Sequence, residues 1–208
     1  NRIEIEQIEK AITPNTRLIA VSLVSATTGF QHDLKKLCAM AHANGVLVYA
    51  DIIQAAGAVP IDVRDSGVDF CASATYKWLM GDFGIGFLFV RKDRLSLLER
   101  TFYGYRQIKS SATHFLPFDA PGADVFESEP KEDMSGHFEV GTFANEGIVA
   151  LRYSLDFLNR MGVDKITQYR IPMIQALQQE LPKNGFLPLT PEGSTSPIVC
   201  FALKDAYK

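Results

Sequence analysis

Two short apolar runs constrain this chain more than anything else in it. Residues 46–50 read VLVYA and lead straight into Asp51; residues 68–72 read VDFCA and are followed, after Ser73, Ala74, Thr75 and Tyr76, by Lys77. Near-continuous β-branched and apolar runs of this length suit strands covered on both faces, as in a parallel sheet. Ligands of open α/β sheets sit outside the carboxyl ends of such strands. An acid and an amine, each just past a strand end, are therefore candidates for one shared site.

The flanking sequence gives these runs a topology. Residues 18–24 read as a strand and residues 25–29 as a polar turn at its exit. Asp33 is a plausible cap for a helix over 34–43, in which Leu34, Leu37, Cys38 and Ala41 share a face, and Asn44-Gly45 closes it. Strand, turn, helix and strand in this order make a βαβ unit with a right-handed crossover. Upstream, apolar residues at helical spacing predict a helix over 3–12, ended by Thr13-Pro14. Downstream of Asp51 come a short helix or turn over 52–57, an extended connection over 59–63, and a strand over 84–91. Residues 104–136, rich in Pro, Gly, Ser and charge, predict a long irregular loop, which in a compact domain is more often functional than idle. Helices are expected over 145–161, with Ile148, Leu151, Leu155 and Leu158 as the apolar face, and over 166–181. A further strand starts near Ile198.

Composition removes several function classes. With 47% hydrophobic and 22% charged residues the 208-residue chain is ordinary globular protein. A net charge of -3 leaves no electrostatic footprint for nucleic acid. No apolar run is long enough for a membrane-spanning helix, so no membrane is expected. Cys38, Cys71 and Cys200 stand far apart, in neither a zinc spacing nor an even disulfide framework, which favours a reducing cytoplasm. His32, His42, His114 and His137 show no ligand spacing, so no metal is expected. The chain opens on Asn1 inside an amphipathic pattern and stops soon after a strand begins; both ends look cut from something longer.

Lys77 leaves an apolar strand between Tyr76 and Trp78. An amine partly desolvated in this way is a competent nucleophile or Schiff-base former, although a lone lysine is usually exposed to solvent. Asp51 ends an interior strand, where a carboxylate needs a cation or hydrogen-bond donors, or serves as a helix cap. Pyridoxal phosphate asks for both residues: a lysine to hold its aldehyde and a carboxylate to keep its ring nitrogen protonated. Gln54, one helical turn after Asp51, can reach the same space. Ser73, Thr75 and Tyr76 offer hydroxyls suited to phosphate oxygens. The glycines at 81, 84 and 86 precede a strand instead of joining a strand to a helix, which is the wrong context for a dinucleotide loop.

Together these residues carry a resemblance. Ala50-Asp51-Ile-Ile-Gln54-Ala-Ala-Gly57, Gly67-Val-Asp-Phe70, Tyr76-Lys77-Trp-Leu-Met-Gly81 and Gly84-Ile-Gly-Phe87 closely resemble the class V aminotransferase family of fold-type I pyridoxal-phosphate enzymes. That family includes cysteine desulfurases, kynureninases and isopenicillin N epimerase-like proteins. The 26 residues from Asp51 to Lys77 agree with it, as does Phe138-Glu-Val-Gly141-Thr142-Phe-Ala-Asn145 before a long helix. The resemblance implies an α/β, three-layer αβα fold with a mostly parallel sheet, residues 1–158 belonging to the cofactor-binding large domain and 159–208 beginning a small α+β domain. It implies Lys77 as the Schiff-base lysine, Asp51 as partner of the ring nitrogen, Gln54 near the phenolic oxygen, and Thr75 and Tyr76 as phosphate ligands. Thr142 would reach the phosphate of a neighbouring subunit's cofactor, in a homodimer with shared sites.

The implied activity is chemistry at the α-carbon of an amino acid: transamination, epimerisation or elimination. Two departures bear on the branch. Desulfurases place His just before the lysine, where this chain has Tyr76, and Asn three residues before the glycine of the first turn, where it has Ala26. The epimerase-like and kynureninase-like branches therefore fit better. In such enzymes a phosphate cradle, a stacking aromatic and a substrate-binding arginine come from portions outside a chain like this one. The alternative expectation is thus a truncated or non-catalytic module that keeps the fold.

Overall fold

The computed structural model describes residues 2–111 and 128–205. Contacts divide the chain into two units, Asn1–Arg91 with Asn145–Lys208, and Lys92–Ala144. His114 and the middle of the loop expected over 104–136 lie outside the described residues.

The first unit begins with α1 (Ile5–Ala11), β1 (Leu18–Ser22), α2 (Leu34–Ala43) and β2 (Leu47–Asp51). The expected βαβ unit is present: β1 and β2 run parallel, Leu18 opposite Leu47 and Ser22 opposite Asp51. Asp33 caps α2 by accepting the Lys36 amide at 3.0 Å, and Gly45 takes φ +72 just past its end. A short helix, α3 (Val63–Ser66), follows, then β3 (Phe70–Ala74) and β4 (Gly86–Val90). Sequence periodicity cannot see α3, because four residues make one turn; Asp62 holds it by accepting the amides of Arg64 and Asp65. β2 and β3 are parallel, with Asp51 opposite Ala72, and β4 returns antiparallel along β3. The sheet order is β1-β2-β3-β4. This is the mostly parallel sheet of an αβα fold.

Burial along the strands is less uniform than their composition suggests. β2 alternates between half-buried and buried, Val48 and Ala50 being the buried pair, and only the start of β3 is closed on both sides. The core joins those residues to Leu34, Leu37, Cys38 and Ala41 of α2, with Val46, Val68 and Cys71. All three cysteines are free thiols.

In the second unit the described residues of the loop expected over 104–136 include regular elements. β5 (Ile108–Ser111) and β6 (Ser128–Pro130) pair antiparallel with a shifted register, and α4 (Met134–Phe138) follows, capped by Asp133. Polar strands of three and four residues carry no apolar alternation, so sequence reading misses them. Gln107 knits this unit, receiving the Gly104 amide and donating to the Gly136 carbonyl.

The chain then returns to the first unit through α5 (Asn145–Met161) and α6 (Val163–Glu180) and ends in a hairpin of β7 (Phe186–Pro188) and β8 (Phe201–Leu203). Of the four residues expected to form the apolar face of α5, Leu158 is buried and Leu151 packs on the core. Ile148 and Leu155 stay exposed.

Candidate functional site

Asp51 and Lys77 leave the same end of neighbouring parallel strands. Asp51 is the last residue of β2; Lys77 lies three residues beyond the last residue of β3. Three turns gather at that end, one after each parallel strand: residues 25–29, 52–59 and 75–81. Backbone bonds carry the sheet pairing up to the first two turns, with the Leu23 amide donating to the Asp51 carbonyl and the Ile52 amide to the Ala72 carbonyl.

The second and third turns touch. Gly57, at φ +88, brings its Cα so close to Trp78 that a Cβ there would stand 2.5 Å from the Trp78 carbonyl oxygen. Only glycine fits both that backbone angle and that approach. The acid's turn and the lysine's turn are therefore packed against one another.

Within the lysine turn the Met80 amide donates to the Lys77 carbonyl at 3.0 Å and the Gly81 amide to the Thr75 carbonyl at 2.8 Å. Met80 closes the turn in the left-handed region, φ 54, which costs a residue with a Cβ about 1–2 kcal/mol. The strain is held in place by neighbours and points to a functional segment.

The expected site residues differ in how their polar atoms are used. Asp51 is half-buried; its Oδ1 accepts the Ile53 amide at 2.9 Å, and Oδ2 has no partner among the described residues. Both readings of Asp51 thus coexist: one oxygen caps the turn and the other is free. Lys77 and Gln54 are half-buried, and neither side chain has a polar partner among the described residues. Tyr76 is exposed, stacked on Phe83 with ring centroids 4.9 Å apart. Thr75 is fully buried, its hydroxyl 3.1 Å from the carbonyls of both Asp82 and Ile85. Ser73 donates to the Ala74 carbonyl. Thr142 lies in the second unit, exposed, its hydroxyl 2.7 Å from that of Tyr105.

A cavity of about 710 Å³ lies elsewhere in the first unit, lined in part by Phe30, His32, Asp62, Asp65, Glu192 and Thr195. It includes none of Asp51, Gln54 or Lys77. Burial pushes the His32 imidazole down from its ordinary value. Volume alone does not make this cavity the site, since neither the acid nor the lysine that leave the adjacent parallel strands lines it.

Sequence reading missed the residues that fasten the turns. The Ser154 hydroxyl of α5 donates to the Met80 carbonyl at 2.8 Å, Thr167 of α6 to Ala58 at 2.9 Å, and Thr190 to Thr28 at 2.6 Å. No local pattern announces them, because each bond spans 74 residues or more.

The chain matches the family model described as Aminotransferase class-V over residues 1–207. It is 31% identical over 172 residues to a probable cysteine desulfurase of Methanothermobacter thermautotrophicus, covering 82% of this chain and 40% of that protein. It is 30% identical over 206 residues to a probable cysteine desulfurase of Halalkalibacterium halodurans, covering 99% of this chain and 47% of that protein. Among solved structures, a C-DES mutant with glycine covalently linked to its PLP cofactor superposes with a TM-score of 0.82 at 24% identity. That superposition covers 98% of this chain and 52% of that one. The chain spans about half the length, or less, of the proteins it matches.

Proposed function

We propose, from the premise that this chain belongs to the aminotransferase class-V family, that it supplies the lysine and acid of a pyridoxal 5′-phosphate site acting at the α-carbon of an amino acid. The observation that carries this reading is the packing of the acid's turn on the lysine's turn at Gly57 and Trp78, at the carboxyl ends of adjacent parallel strands.

The donor set fits the cofactor. When bound, pyridoxal phosphate draws electrons from the α-carbon of an attached amino acid. Lys77, with no competing polar partner among the described residues, would hold the aldehyde and afterwards accept and return the α-proton at Nζ. Oδ2 of Asp51, without a partner among the described residues, would keep a proton on the ring nitrogen, while Oδ1 anchors the carboxylate to the Ile53 amide and fixes its direction. Gln54 supplies an amide to the phenolic oxygen. Tyr76 offers its hydroxyl to phosphate, backed by the Phe83 ring. Thr75 differs from the others: its single hydroxyl proton already goes to a carbonyl, so it serves phosphate only by releasing that bond.

Three finer statements belong to the same reading. The active form is a cytoplasmic homodimer in which Thr142 reaches a neighbouring subunit's phosphate. Residues 1–158 serve the large domain and 159–208 open the small one. Tyr76 and Ala26 favour an epimerase-like or kynureninase-like activity, whereas the relatives' names favour removal of sulfur from cysteine.

Borohydride reduction of the chain after addition of pyridoxal phosphate, followed by peptide mapping, tests the site. Stoichiometric label at Lys77, absent in Lys77→Ala, is expected. Label spread over surface lysines, or none, would instead favour a module that keeps the fold without the chemistry. Sulfide release from cysteine separates the two branches.

A further inference from the structure

The three turns that carry the candidate site share one feature that the chemistry above does not use. Each is fastened by a hydroxyl donated from the part of the chain after residue 145. The turn after β1 offers its Thr28 carbonyl to Thr190, the turn after β2 its Ala58 carbonyl to Thr167, and the turn after β3 its Met80 carbonyl to Ser154. Thr190 and Thr167 are buried, as are Thr28 and Ala58, so no water replaces these bonds. Thr190 is also fixed from its other side, accepting the Cys200 amide at 2.7 Å. Ser154 lies closer to Met80 than to the Ala150 carbonyl of its own helix, 2.8 against 3.2 Å. Its acceptor is the residue held in the left-handed region.

Resting on the function proposed above, we propose that Ser154, Thr167 and Thr190 are positioning residues. By clamping one carbonyl in each turn, they set the separation and tilt of Asp51 and Lys77 across the ring they are to hold. The two strands alone do not fix that geometry. Lys77 is three residues past its strand, and the carboxylate of Asp51 is anchored through Oδ1 to the Ile53 amide of the turn that follows it, so both side-chain directions depend on how the turns are held. Ser154 acts on the lysine turn and Thr167 on the acid turn, so removing either changes one side of the pair while the sheet stays in place. Thr190 acts at one remove, through the turn beside Asp51, and has the weakest effect.

The experiment uses the full chain with Ser154→Ala, Thr167→Val, Thr190→Val, the rescue variant Thr167→Ser, and Leu37→Ala on α2 as a core control that touches none of the three hydroxyl bonds. Two quantities are read. One is the pH midpoint of the long-wavelength absorbance of the lysine-bound cofactor. The other, in cofactor-free chain, is the rate at which acetic anhydride labels Lys77 relative to Lys35 and Lys36. For Ser154→Ala and Thr167→Val the midpoint is expected to move by about half a pH unit, which is roughly threefold in the equilibrium. The relative labelling rate should change by a similar factor. Thr167→Ser should restore both, and Leu37→Ala should lower thermal stability while moving neither. If the hydroxyl variants lose stability as the control does and leave both readings unchanged, the hydroxyls are structural and the inference is overturned. If wild-type chain takes up no cofactor at Lys77, the functional reading fails, and the labelling rates alone decide this one.

Discussion

Two aspartates occupy opposite ends of the same pair of strands, and they are used in opposite ways. Asp51, at the carboxyl end of β2, is half-buried and keeps one oxygen free among the described residues. Asp69, just before β3, is fully buried and crowded with donors. Its Oδ2 accepts the Val48 amide and His42 Nε2, both at 2.8 Å, and its Oδ1 lies 3.3 Å from Arg91 Nη2. Arg91 is in turn tied to the Gly67 carbonyl. One carboxylate joins α2, β2 and β4 at the amino end of the sheet. A buried charge saturated by donors holds structure together; a half-buried one with a lone pair to spare can hold a ligand.

The largest expected effect breaks the structural end. Asp69→Ala takes the buried carboxylate away from Arg91 and His42 and leaves the Val48 amide without its acceptor, and should cost about 3–5 kcal/mol, read from urea unfolding. A loss below that of an ordinary surface substitution would erase the contrast between the two acids. Next comes the functional end. Asp51→Asn keeps the bond to Ile53, so stability should change by less than about 1 kcal/mol, the worth of one hydrogen bond. In the assembled enzyme kcat with an amino-acid substrate should fall roughly a hundredfold or more. Equal damage to folding and to turnover would place Asp51 with Asp69.

Gly57→Ala sharpens the comparison at the contact between the turns. The added methyl meets the Trp78 carbonyl in a left-handed backbone, at a cost of about 1–3 kcal/mol. Cofactor uptake should weaken more than it does in an equally destabilised core variant, measured by equilibrium dialysis.

The smallest effect at neutral pH is that of the buried thiols, which grows only in alkali. Burial, with the Asp69 carboxylate second, pushes Cys38 up to about 12 from an ordinary 9.0, and burial pushes Cys71 up to about 11. A value raised on folding means that the contribution is fully present below the unfolded value near 9.0 and is lost as pH climbs toward 11–12. Alkaline unfolding titrations should show that loss. At neutral pH a thiol reagent should modify the half-buried Cys200 well before Cys38 and Cys71.

The parts of this molecule that were legible in sequence are those whose cause is local. Asp33 and Asn44-Gly45 delimit α2 by capping chemistry, and the spacing of Leu34, Leu37, Cys38 and Ala41 marks the face it buries. The runs ending at Asp51 and near Lys77 mark strands because every residue in them favours extended, covered backbone. Asp69 was visible as a residue but not as the keystone of a cluster, since His42 and Arg91 come to it from 27 residues before and 22 after. Ser154, Thr167 and Thr190 were invisible for the same reason: a hydroxyl on a helix or in a loop is ordinary until the fold brings a carbonyl to it. The hairpin of β5 and β6 escaped because its strands are short and polar.

Because β4 doubles back along β3, with Ala74 opposite Gly86, the segment bearing Lys77 is stapled to the sheet at both feet. It is a bracket instead of a flap. Whatever reach the ammonium needs toward a substrate comes from the flexible methylene stem of the lysine itself, and a longer bracket, made by inserting residues near Gly84, would trade that fixed origin for slack.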